Sequence, residues 1–445
     1  MDKNHFLTVF LTIGLFFSAA DINALSQDTA EKELSLGEAV SHALEYNLNL
    51  KKMRVDLEAS DYAESKSWSE FFPTISATMG ARINTPLFTS GGFIINDKTL
   101  TYNADIGISL GLNAGIPYAI KNVNLVHQGN FLRYEEACTQ LSVQITKKYY
   151  SLAAEKNNLA FLEEVLNLAQ KQYERSQISF KNGLVRELSV IQSRLAYENA
   201  RYSLSAANIV YSNNMAEFLA MLGMPQDEKI TLPDEITIVK ISADAETLIK
   251  NYLSNRPDIA RNIQEIERLE NASKQLSLQN KAPSLRLAIS WNPNLKFNPF
   301  SETFSASANL TIPIDPWIPG TTKSQTVDRS KDSMEKAKLD LESAETTAKT
   351  LIRTLTALLK NSWDSILIAR LGYEAAELSY RLTEQGFNNG IIESLVLDDA
   401  RNNMTNARQR MYQSELSYFN MILDLSAAIN MDWKNLVKVF GVQGD

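Results

Sequence analysis

Cysteine is almost absent from this chain: of 445 residues only Cys138 is one. That excludes an intramolecular disulfide framework and a cysteine-rich zinc site. Cys138 falls on an apolar helical stripe and reads as a packing residue, pairing between chains being the alternative. Histidine is nearly as scarce, with three residues. Neither His42 nor His127 has metal-ligand spacing to an acidic or cysteine partner, so no metal site is expected. Basic charge is in deficit, the net charge being −8, which argues against a nucleic-acid partner. No run reaches the roughly 18 apolar residues of a transmembrane helix. Gly91-Gly92 lies in a loop and is no phosphate cradle, and no nucleophile–base constellation is visible. The residues therefore imply neither an enzyme nor a cofactor. With 44% hydrophobic and 22% charged residues, the chain is not disordered as a whole.

What is present begins with an export signal. Lys3 and His5 precede the apolar run Phe6 to Ala20, and small residues follow. The run is too short to span a membrane and suits a signal-peptide core, cleaved after Ala24 or Ala20. The alternative is a buried N-terminal helix.

Proline placement divides the rest. The 12 prolines fall in three zones, 73–117, 225–257 and 283–319. Proline disrupts helix interiors, so the tracts between and after these zones can hold very long helices. Those tracts carry seven-residue stripes: Phe131, Cys138, Ile145, Leu152, Leu159, Leu166 and Tyr173 in one, Leu397, Met404, Met411, Tyr418 and Leu425 in another. Sustained spacing of this kind predicts coiled-coil-like packing. A helix over 118–182 would be about 98 Å long at 1.5 Å per residue. Each tract is broken once, at Asn182-Gly183 and at Asn389-Gly390. Asn-Gly after a helical run supplies a left-handed turn, so each tract reads as a hairpin with its tip at Gly183 or Gly390.

The tips are 207 residues apart, and at that offset 173–224 aligns with 380–431 without a gap. Tyr173, Phe180, Asn182, Gly183, Arg194, Arg201 and Tyr211 recur as Tyr380, Phe387, Asn389, Gly390, Arg401, Arg408 and Tyr418. Such duplication fixes the architecture. The expected organisation is a signal peptide over 1–24 and two repeats, 25–230 and 231–445. The first holds strands near 74–84 and 101–113 and a hairpin over 118–223. The second holds strands near 284–292 and 303–312 and a hairpin over 321–431.

The strands are read from strict alternation. Ile75, Ala77, Met79, Ala81 and Ile83 share one face, as do Leu285, Leu287, Ile289 and Trp291. Period two over about ten residues is the pattern of a membrane β-strand, and also of a half-buried soluble sheet. The export signal favours the membrane. So do Phe71, Phe72, Tyr118 and Trp317, which bracket the strands as an interfacial girdle would. Four strands cannot close a membrane barrel, which needs about eight, and lipid tolerates no open edge. A membrane location therefore requires two, three or four copies.

The order of these features resembles the TolC-like outer-membrane efflux proteins. Leu34-Ser-Leu-Gly-Glu-Ala-Val-Ser-His-Ala-Leu-Glu-Tyr-Asn47 is similar to the family's opening helix, and Asn255-Arg-Pro-Asp-Ile259 to its second-repeat counterpart. Phe72-Pro-Thr-Ile-Ser76 and Ala282-Pro-Ser-Leu285 resemble its strand entries; Phe180–Gln192 and Phe387–Asp399 resemble its hairpin tips. The match covers nearly the whole mature chain.

The resemblance implies an α+β membrane protein that forms a homotrimer. Its twelve-stranded β-barrel in the outer membrane would continue into a twelve-helix α-barrel across the periplasm. Such a channel-tunnel is the exit duct of a tripartite efflux pump or type I secretion system, working with a periplasmic adaptor and an inner-membrane transporter. The alternatives are a structural or adhesive coiled-coil surface protein and a passive uptake porin. In the family, aspartates six and nine residues after the second tip glycine ring the periplasmic entrance. Here those positions hold Val396 and Asp399, with Asp398 as an extra neighbour. Asp399 and Asp398 are the gate candidates, solvated helix-surface charges being the alternative. Gly183, Leu184, Val185, Gly390, Ile391 and Ile392 are the adaptor-contact candidates, since apolar residues are unusual on a free turn, a local staple packing the two hairpin helices on each other being the alternative.

Overall fold

The computed structural model describes residues 32–84, 88–89, 92–93, 99–233, 238–293 and 302–442. The expected signal peptide and most of the two strand-to-strand loops lie outside the described residues.

Four long helices dominate: α3 (Ile116–Lys181), α4 (Glu187–Leu222), α7 (Thr322–Asn388) and α8 (Ser394–Ala428). Shorter helices are α1 (Leu36–Tyr46), α2 (Leu48–Ser65), α5 (Ala245–Tyr252), α6 (Pro257–Lys281) and α9 (Trp433–Phe440). The proline zones place each start. Pro117 and Pro257 occupy the first turns of α3 and α6, where the missing N–H costs nothing. Ser35 and Glu38 form a reciprocal capping box at α1. Thr321 caps α7 through its side chain. Helix α8 stops at Ala428, three residues short of the expected end. Asn430 there adopts a positive φ of 50°, and the Ser426 hydroxyl donates to the Met431 carbonyl.

The two hairpins pack α3 on α4 and α7 on α8; α6 lies against both α3 and α7, and α2 against α3. The core is concentrated at mid-length. One cluster joins α1, α3, α4 and α8 around Tyr149, Leu152, Phe218 and Phe419. A second joins α5, α7, α8 and α9 around Leu248, Ile352, Ile366 and Leu436. A smaller one, of Phe161, Val165, Tyr380, Leu397 and Met404, holds the hairpins together toward their tips.

At the other end lies one antiparallel sheet of β1 (Thr74–Asn84), β2 (Thr99–Asn113), β3 (Ser284–Pro293) and β4 (Glu302–Thr311), in that spatial order. Its register carries each strand's alternation across the whole sheet. Ile75, Ile108, Ile289 and Ala306 stand in one cross-strand row; Ala77, Ile106, Trp291 and Phe304 stand in another. The opposite face carries rows such as Ser76, Gly107, Ser290 and Ser305. There the Thr74 and Ser109 hydroxyls lie 2.9 Å apart, and those of Ser290 and Ser305 2.8 Å apart. The apolar rows are open to solvent in the single chain, Ile75 being 74% and Met79 81% exposed. Strands β1 and β4 are the edges, each with one neighbour. Among the described residues no helix is long and apolar enough to cross a membrane.

Candidate functional site

Both hairpin tips use the same backbone device. At the first, the Leu184 N–H donates to the Ser179 carbonyl at 2.8 Å and the Gly183 N–H to Phe180 at 2.9 Å. At the second, Ile391 donates to Gly386 and Gly390 to Phe387, both at 2.9 Å. Gly183 and Gly390 sit at φ of +71° and +74°. This is a Schellman turn, which needs a left-handed residue and so selects glycine. Leu184 and Ile391 stand out from the turns, 75% and 79% exposed. Val185 and Ile392 are half-buried, and Ile392 lies over Gly386, where an added Cβ would meet its Cδ1 at 2.5 Å. The apolar tip residues thus divide into two that are half-buried, Ile392 against its own hairpin, and two that face outward.

The gate candidates lie on the first turns of α8. Asp398 accepts from the Arg401 guanidinium at 2.8 Å, one turn along the helix. Arg401 is only 4% exposed, and Asp398 is half-buried. Burial raises the Asp398 carboxyl above the usual aspartate range; Arg401 pulls it down and Asp399 adds repulsion. Asp399 is exposed and has no ion-pair partner among the described residues. Beside this pair, Tyr380 donates to Glu384 at 3.4 Å, and burial, seconded by Glu384, pushes its phenol up to about 12. Asp398 is therefore already committed to Arg401, whereas Asp399 is exposed to solvent.

Two contacts that sequence reasoning missed brace the hairpins against each other. The Arg408 guanidinium lies 4.0 Å from the centre of the buried Phe161 ring. Arg175 donates to the Asn388 side chain at 3.3 Å. Each joins residues more than 200 positions apart, so spacing held no sign of either.

The candidate interface aromatics cluster where helices meet sheet. Phe71 and Phe72 immediately precede β1, Tyr118 follows β2, and Trp317 follows β4. Phe72 and Trp317 are exposed, Phe71 and Tyr118 half-buried. Trp68, not singled out from sequence, joins them with its ring 5.8 Å from that of Phe71. Lys281 lies over the Trp317 ring at 5.3 Å. Farther along α3, the packing of α2 on α3 brings His127 to Asp61 and Glu64, their ligand atoms within 4.8 Å of one another. Spacing along the chain gave no metal-ligand pattern there because α2 and α3 are separated by two strands.

Comparisons with known proteins agree with this architecture. The profile described as outer membrane efflux protein matches twice, over residues 39–224 and 248–431. The probable efflux pump outer membrane protein TtgC of Pseudomonas putida is 23% identical over 435 residues, covering 93% of this chain and 87% of its own. The antibiotic efflux pump outer membrane protein ArpC of the same species gives the same figures. Among solved structures, the Campylobacter jejuni CmeC outer membrane channel superposes with a TM-score of 0.73 at 16% identity, over 96% of this chain and 97% of that one. The open-state MtrE outer membrane channel of Neisseria gonorrhoeae gives 0.67 at 17% identity, over 89% of each.

Proposed function

This chain belongs to the outer membrane efflux protein family and is an exit duct of an efflux pump in the outer membrane; from that premise we propose that three copies close the duct. Three four-stranded sheets side by side give a twelve-stranded barrel, and three pairs of hairpins a twelve-helix tube. The observation that carries this reading is the sheet: four strands, two unpaired edges and one face of continuous apolar rows. In lipid an open edge leaves backbone N–H and C=O groups unsatisfied at several kcal/mol each, so the edges must meet other chains. The apolar face then turns to lipid and the hydroxyl-bearing face to the lumen. Helix α3, with 66 residues, extends about 99 Å from that barrel.

The same reading takes 1–24 as a signal peptide and 25–230 and 231–445 as the two repeats. The chain acts as a duct and not as an enzyme. Its energy comes from an inner-membrane transporter, and Leu184 and Ile391 at the tips meet the periplasmic adaptor that joins the two. Around a threefold axis Asp399 becomes a ring of three carboxylates, which attracts cations to the periplasmic entrance. Native mass spectrometry of the mature protein in mild detergent tests the assembly. The expected mass is that of three chains; a stable monomer soluble without detergent would remove the barrel and the duct with it.

A further inference from the structure

We propose that Asp61, Glu64 and His127 form a divalent transition-metal site that clamps α2 to α3 beneath the sheet, with Zn²⁺ as its probe ion. Ser60 is buried, and its hydroxyl donates to the Leu57 carbonyl at 2.8 Å. Its only proton is thereby used. With the hydroxyl proton on Leu57, the tautomer that completes the contact of the His127 Nδ1 atom, 3.1 Å from the same oxygen, is the one with its N–H there. A neutral His127 therefore keeps its lone pair on Nε2. Nε2 faces a carboxylate oxygen of Glu64 at 3.6 Å. Two acceptors facing each other need a cation or a donor between them, and a metal ion bound by both is the occupant proposed.

The surroundings match those of a ligand set. A metal-bound imidazole usually donates its other N–H to an oxygen that fixes its orientation, and ligating carboxylates are themselves hydrogen-bonded. Ser60 supplies the first feature. Asn124 supplies the second, donating to the other Glu64 oxygen. Asp61 stands one turn before Glu64 on α2, so both carboxylates reach the same side. Ligand atoms on a zinc ion lie about 3–3.5 Å apart, given bonds near 2.1 Å. The Nε2–Glu64 pair already spans almost that distance, and the exposed Asp61 has the rotamer freedom to close the set. One nitrogen and two carboxylates leave an open position for water, and imidazole in the set suits zinc, nickel or copper better than calcium or magnesium.

The second repeat lacks the set. Aligned on Pro73 and Pro283, Asn271 and Lys274 take the places of Asp61 and Glu64; Met334 lies 207 residues after His127. Asn271 instead donates to the Tyr118 carbonyl at 2.8 Å, and Lys274 pairs with Glu270 at 2.7 Å. The clamp is thus a property of one half of the chain, placed near the start of α3, about 16 Å along the helix from the strand end.

The test is a Zn²⁺ titration of the chelator-treated, detergent-purified full chain by isothermal calorimetry at slightly alkaline pH. One ion per chain is expected, with X-ray absorption showing a nitrogen and oxygen shell that contains imidazole. His127→Ala and Glu64→Gln should abolish that uptake. Ser60→Ala, which keeps every ligand, should weaken it about tenfold and carries the test if a ligand variant fails to assemble. No uptake by the unaltered chain overturns the proposal. Uptake unchanged in His127→Ala overturns it equally.

Discussion

The two hairpin tips share a backbone and differ in charge. Both end in a Schellman turn closed by the same hydrogen bonds. Yet Ile191 and Gln192 stand in the first where Asp398 and Asp399 stand in the second, 207 residues on. The recurring arginine follows the difference. Arg194 is exposed and has no ion-pair partner among the described residues, whereas Arg401 is buried against Asp398. The packing partners diverge too. Tyr173 stacks on Tyr197 with ring centres 6.1 Å apart; Tyr380 faces a position where Met404 has replaced that second ring. What the turn requires sterically recurs in both halves, whereas the side chains one turn on differ. The backbone constraint acts on glycine alone, so side chains one turn away are free to differ, and the paired aspartates occur in the second hairpin and not at the matching positions of the first.

The sharpest way to break this comparison is to remove both arginines in turn. Arg401→Ala leaves a half-buried carboxylate unpaired and should destabilise the second tip by about 3 kcal/mol. Arg194→Ala should change the first by less than about 0.5 kcal/mol. Hydrogen exchange of the two tips reads both; equal effects would mean the Asp398–Arg401 pair does nothing structural. Next in size are Gly183→Ala and Gly390→Ala. Nothing lies within 4 Å of either added Cβ, so each loses only the left-handed backbone preference, about 1–2 kcal/mol. Losses of unequal size would show that the turns are not equivalent after all.

Smaller effects concern ions. Asp399→Ala should weaken divalent-cation block in a planar bilayer about fivefold, or about 1 kcal/mol for a charge in a hydrated entrance. Ile191→Asp with Gln192→Asp should add block to the first tip if position alone decides. Block that ignores all three substitutions would take both tips out of the gate. Smallest is a pH effect. The Asp398 carboxyl is raised by burial, so its contribution to stability is complete below the ordinary aspartate pKa and lost as pH rises through the raised one. The second tip should gain protection relative to the first on acidification into that window, and Asp398→Asn should abolish the gain.

The sheet and the hairpins were legible because each rests on a period or a local chemistry. Alternation in Ile75–Ile83 and Leu285–Trp291 writes a strand whose faces meet different surroundings. Proline-free heptads interrupted once by Asn-Gly write a hairpin. The candidate site was legible only in part. Leu184 and Ile391 stand out as their apolar character suggested, but Ile392 closes over Gly386, a contact decided by the turn. The Asp398–Arg401 spacing is visible in the chain, yet its burial depends on Tyr380 and Leu397 packing from around it. The Phe161–Arg408 brace and the meeting of His127 with Glu64 arise from helices laid side by side by the tertiary fold. Pairings of that kind leave no trace in the spacing of either partner.

The unpaired edges β1 and β4 have a consequence for how the molecule comes to exist. If copies close the barrel as proposed, a chain whose sheet has two open borders has no finished state in lipid on its own, so its insertion and its association are one event. Its folding free energy then contains the protomer concentration: dilution acts as a denaturant, and the midpoint of melting moves with the amount of protein present. A substitution on either border is also felt once at every seam of the closed ring, multiplying a local defect by the symmetry of the assembly.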